Sequence, residues 1–137
     1  MSRIIKLDNI GTERKRLVRA IVISLRELSR QSDESDLTRD LLAFITFCLL
    51  TLAKGVETTV APWEKRGYWV KADRFRLEWE WTGRAGEKLQ DFLLQDQWEE
   101  IPALLAEVSQ HFSKEKVSEK HRLGTPWVGT WDRLQDK

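Results

Sequence analysis

Two groups of residues in this sequence carry usable chemistry: a few nucleophilic or metal-binding side chains, and a dense run of aromatic and basic ones. The first group is sparse. His111 and His121 are the only two histidines, and neither has a second ligand at i+3 or i+4, the spacing that sets two ligands on one helical face. Cys48 is the single cysteine and lies between Phe47 and Leu49, the setting of a small buried hydrophobe rather than of a reactive thiolate. Glu78 and Glu80 could be paired as acid and base, yet they share no helical face. On a strand both would point to solvent, whereas a perturbed carboxyl needs a desolvated cleft. The seven glycines are scattered rather than gathered into a phosphate loop, and no serine lies in a nucleophile-elbow sequence. The expectation is a chain that is not an enzyme, with no catalytic group, no metal site and no cofactor.

The second group is richer. Trp63, Lys65, Arg66, Tyr68, Trp69, Lys71, Arg74, Phe75 and Arg76 interleave cations with aromatic rings. Cations pair with phosphates, and aromatic faces stack on unpaired bases at about 1–3 kcal/mol each. The competing reading makes the rings core and the long basic stems their cover. A stripe of Lys15, Arg19, Arg26 and Arg30 is the second candidate, suited to a long anionic ligand or to pairing with acidic segments of the same chain. Trp127 and Trp131 form the third. They either strap the C-terminal tail to its own bundle or anchor a partner.

These side chains must be positioned by helices. From about Thr12 to Gln31, Leu17, Ile21, Leu25 and Leu28 recur at helical spacing, with Thr12 as the expected cap. Residues 31–36 read as a loop that supplies the next N-cap. A second helix is expected from about Leu37 to Val60, its second half weakened by Gly55 by about 1 kcal/mol relative to Ala, and ended or kinked by Pro62. Its stretch 41–53 is apolar on every side and must be surrounded by other helices, of this chain or of a second copy. That run covers 13 residues, fewer than the roughly 20 needed to cross a bilayer.

Residues 63–82 fit two patterns. Helical spacing groups Tyr68, Ala72, Phe75 and Trp79 on one face, and Trp63, Val70, Leu77 and Trp81 on the other. Strand alternation fits 75–81 as well, but a hairpin would lack the Gly or Asn that tight turns favour near residues 72–74. Helix is the preferred reading. Gly83 and Gly86 then partly break the pattern before a helix from about Ala85 to Leu94. Asp96 with Glu99 resembles a capping box for a helix through Phe112, with Pro102 delaying or bending its start.

The predicted fold is all-α: a small helical bundle of four to five helices with an extended C-terminal tail, the alternative being α+β with a short hairpin within 68–81. Residues 1–113 form the bundle, and the charged, Trp-bearing tail 114–137 packs on the same domain.

The chain of 137 residues carries 23 Lys and Arg against 22 Asp and Glu, which excludes a simple polycation. The charge is nonetheless uneven. Residues 1–30 hold eight basic against three acidic side chains, 63–76 five against two, and 77–100 two against seven. With a lone cysteine and no apolar stretch of signal-peptide length at its start, the chain is expected in the cytoplasm. Seven tryptophans favour a protein that binds other macromolecules. The expected function is a non-enzymatic interaction or assembly protein, self-associating or joined to a protein partner, with no membrane. Binding of RNA or single-stranded DNA is the alternative. No motif is specific enough to name a family.

Overall fold

The computed structural model describes residues 7–32, 35–118 and 121–136, with side chains from Ile10 onward. Among the described residues the chain is 77% helical, with no strand. The hairpin alternative within 68–81 therefore falls. Helices run over Leu7–Ser29 (α1), Asp36–Lys65 (α2), Trp69–Trp79 (α3), Trp81–Leu94 (α4), Ile101–His111 (α5) and Thr130–Gln135 (α6), with a 3-10 turn at Trp98–Glu100.

α2 is the axis on which α1, α3, α4 and α6 pack. Ser35 caps it, its hydroxyl accepting the Thr38 amide at 3.2 Å. Leu42, Ile45, Leu49 and Leu52 meet Val18 and Ile21 of α1, Leu89 and Leu93 of α4, and Leu104 and Val108 of α5 in one core. The surroundings that the apolar run 41–53 demands are thus supplied by the chain itself. At 30 residues α2 is long and apolar enough to cross a membrane by length and composition, which the 13-residue run alone is not; half of its most apolar window is buried inside the chain.

Several boundaries move from their sequence expectations. α1 starts at Leu7, so Thr12 lies inside it rather than capping it. α2 continues through Pro62 to Lys65. Proline is tolerated there because only its last turn follows, and the bond that Pro62 cannot donate belongs to the carbonyl of Thr58, an exposed residue. The helix then stops at Gly67, whose φ of 82° suits a residue without Cβ. The Gly67 amide donates to the Glu64 carbonyl at 3.0 Å and the Tyr68 amide to the Trp63 carbonyl at 2.8 Å, the Schellman pattern.

α4 begins four residues earlier than expected, because its glycines serve packing rather than breaking. A Cβ at Gly86 would lie 2.8 Å from Leu50 Cδ2, and one at Gly83 would lie 3.3 Å from Ala53 Cβ. Their absence lets α4 sit close on α2. Asp96 ends α4 instead of capping the next helix. It adopts φ 59° while the Gln97 amide reaches back to the Phe92 carbonyl at 2.8 Å, and its carboxylate accepts the Trp98 indole N–H at 2.6 Å. Pro102 lies in the first turn of α5, where its missing amide is not needed.

The tail is less extended than its sequence implies, since α6 closes it. Trp127 is buried against Ile23 and Leu41, with Phe44 edge-on at 6.3 Å, while Trp131 is half-buried on the main core. The Asp40 carboxylate of α2 accepts the amides of Gly129 at 3.0 Å and Trp131 at 2.9 Å. It therefore caps a helix that lies 90 residues further along the chain.

Candidate functional site

The α2–α3 corner collects the aromatic–basic segment. Its inner side is structural: Ala72 is buried, and Phe75 and Trp79 are half-buried. Trp63 meets Phe75 edge-on at 5.5 Å, and the Lys71 ammonium lies 4.4 Å from the Trp63 ring centre. Of the face that helical spacing groups as Tyr68, Ala72, Phe75 and Trp79, the last three turn inward, whereas Tyr68, which precedes the helix, is exposed.

The outer side is different. Val70, Arg74 and Leu77 follow one another at i, i+4 and i+7 on the opposite face. Tyr68, Trp69, Val70 and Leu77 are 52%, 60%, 66% and 70% exposed. Lys65, Arg66, Lys71 and Arg74 are exposed around them. Large apolar side chains gathered in this way on a short corner have no covering partner among the described residues.

Arg76 does not belong to this exposed set. Its guanidinium binds both Glu57 carboxylate oxygens at 2.8 and 2.9 Å, Glu64 at 2.8 Å and Asp73 at 3.4 Å. The hydrogen bonds that Arg76 donates to Glu57 first and Glu64 second raise it further above its ordinary value, and the bond to Glu57 in turn lowers that carboxyl. Its work is to tie α3 to the end of α2.

No family model, curated protein or solved structure matches the chain.

The Lys15, Arg19, Arg26 and Arg30 stripe is divided by the fold. Lys15 and Arg19 are exposed. Arg26 donates to the carbonyls of Val117 at 2.6 Å and Ser118 at 3.1 Å, clamping the start of the tail, and Arg30 pairs with Glu27 at 2.6 Å. The contacts described for Arg26 and Arg30 lie outside 77–100. Trp127 acts as a strap within the chain. Cys48 is buried, and burial, with a smaller contribution from the Glu13 charge, pushes its thiol up to about 12. His111 stacks on Trp81 with ring centres 3.7 Å apart, and the His121 Nδ1 accepts the Leu123 amide at 3.2 Å.

Two features escaped sequence reading. Asp40, the long-range cap of α6, has no local signature because its partners lie 89 and 91 residues away. A cavity of about 400 Å³ opens between α1, α2 and Phe75 of α3. Its one sequence signal is Gly55, a glycine within an apolar helix that no turn or cap requires.

Proposed function

We propose that the protein is a non-enzymatic, cytoplasmic assembly module that associates with further copies of itself through the α2–α3 corner. The observation that carries this reading is the outward cluster of Tyr68, Trp69, Val70 and Leu77, each more than half exposed. Burying a side chain of this kind is worth about 1.5–3 kcal/mol, and aromatic residues ringed by arginine are typical interface anchors.

A second copy offers a complementary surface. Glu87, Asp91, Asp96, Glu99 and Glu100 are exposed along α4 and the turn after it, and Leu94 among them is 47% exposed. Lys65, Arg66, Lys71 and Arg74 of one chain would face those carboxylates on the next. Such a contact joins two different faces, so it builds rings or filaments rather than an isologous dimer.

Sedimentation velocity across a concentration series should show growth beyond the monomer, reduced by added salt and abolished in Trp69→Glu/Leu77→Glu. A chain that stays monomeric at every concentration and at low salt rules out self-association.

The exposed Trp69 indole beside Lys65, Arg66 and Arg74 favours a second reading, binding of RNA or single-stranded DNA by stacking and phosphate pairing. An oligonucleotide would then quench tryptophan fluorescence at low salt, and Lys71→Glu/Arg74→Glu would lose the effect. Equal binding by that variant removes the nucleic-acid reading.

A further inference from the structure

Gly55 poses a physical question that Gly83 and Gly86 do not. Gly83 and Gly86 permit close approach of α4 to α2, whereas a Cβ on Gly55 would meet nothing within 4 Å. Glycine inside a helix is costly in backbone entropy relative to alanine. Here no packing contact or positive φ offsets that cost. What the missing side chain leaves is space.

That space is the cavity of about 400 Å³, within the range of small-molecule sites. Thr51, Gly55 and Thr58 follow at i, i+4 and i+7, so Gly55 stands in the middle of the α2 wall. Ile10 and Leu17 form the facing wall of α1, Leu52 and Val56 flank Gly55, and Phe75 closes one side. The lining is predominantly apolar, which suits a flexible alkyl chain.

The charges lie in a definite arrangement. Arg14 and Lys54 line the cavity, and neither has a carboxylate partner among the described residues. The Arg14 guanidinium is held over the Phe75 ring at 4.9 Å and the Trp79 ring at 5.8 Å, which orients it while leaving its N–H groups without acceptors among the described residues. Glu13, the one acidic residue of the lining, is paired with Arg16 at 3.3 Å. An apolar slot bearing two unpaired cations fits a ligand with an apolar body and one anionic end.

We propose that this cavity binds a straight-chain monocarboxylate, a free fatty acid of medium length. Its alkyl chain lies between α1 and α2 across Gly55, and its carboxylate rests on Arg14 and Lys54.

Titration calorimetry of the full chain with octanoate, decanoate, dodecanoate and hexadecanoate, each below its micelle concentration, tests this directly. One site per chain is expected. Affinity should rise about fourfold per methylene until the cavity is full, then level off. Arg14→Gln/Lys54→Gln should weaken dodecanoate about tenfold or more and leave dodecanol unchanged. Gly55→Leu should abolish binding while keeping the melting temperature at or above that of the parent, and Gly55→Ala should weaken binding with the same thermal behaviour.

The proposal is overturned by absence of saturable binding at every chain length, or by dodecanoate binding that survives Gly55→Leu. Equal response of acid and alcohol to the Arg14/Lys54 substitutions overturns the assignment of the carboxylate. Phosphatidylcholine vesicles supply the remaining arm: binding to them that Gly55→Leu leaves intact would replace the cavity with a lipid surface. The Trp69→Glu/Leu77→Glu variant should bind dodecanoate like the parent, so failure of the assembly reading and failure of this one are separately visible.

Discussion

Asp40→Ala should loosen the C-terminal tail before any other part of the molecule. The carboxylate accepts two backbone amides, those of Gly129 at 3.0 Å and Trp131 at 2.9 Å, and it does so from a half-buried position on α2. Gly129 sits at the N-cap of α6 and has no side chain to cap with, so Asp40 fills that role from another helix. A hydrogen bond to a charged group contributes about 1.5–3 kcal/mol. Partial exposure lets water recover part of the loss, which brings the expected cost of Asp40→Ala to about 2–3 kcal/mol. Asp40→Asn retains one carbonyl acceptor and should cost about half of that. Urea unfolding followed by tryptophan fluorescence gives the total, and amide exchange gives the location. Protection should fall first at Gly129 and Trp131, while α4 and α5 keep theirs. A cost below about 0.5 kcal/mol, within the range of ordinary surface substitutions, would refute the capping argument. Loss of protection spread evenly over the bundle would refute it equally.

The close approach at Gly86 predicts that Gly86→Val destabilises the chain by about 1–3 kcal/mol in thermal or urea unfolding, since its Cβ would start 2.8 Å from Leu50 Cδ2. A neutral result would show that α4 can retreat from α2. Cys48, buried with its thiol pushed up to about 12, should resist a thiol reagent at pH 8 in the native state and react readily in urea; fast native labelling would contradict its burial. Arg76 holds the Glu57 carboxyl below its ordinary value of 4.5. The stability this lends is present above that value and is lost as pH falls through the lowered one. Glu57→Gln should therefore flatten the acid limb of a stability–pH curve, and an unchanged acid limb would show that the ion pair carries no stability.

The sequence by itself determined the fold class and most of the core. Helical periodicity over Leu17, Ile21, Leu25 and Leu28, and an apolar run at 41–53, fix which faces must be buried whatever packs on them. The preference for helix over hairpin at 63–82 was likewise legible, because tight hairpin turns need residues that positions 72–74 lack. The sequence also marked the aromatic–basic segment, but could not divide it. Whether Arg76 is a ligand contact or a tie to Glu57 and Glu64 depends on which residues of α2 lie opposite α3.

What only the tertiary structure decided were features made by residues far apart in the chain. Asp40 and Gly129 meet across 89 positions. The cavity exists because Ile10, Arg14 and Leu17 of one helix face a glycine of another. Gly55 and Gly86 carry the same letter and the same helical cost, yet one clears a close contact and the other leaves a void. That difference lies in the neighbours, and a local pattern does not contain them.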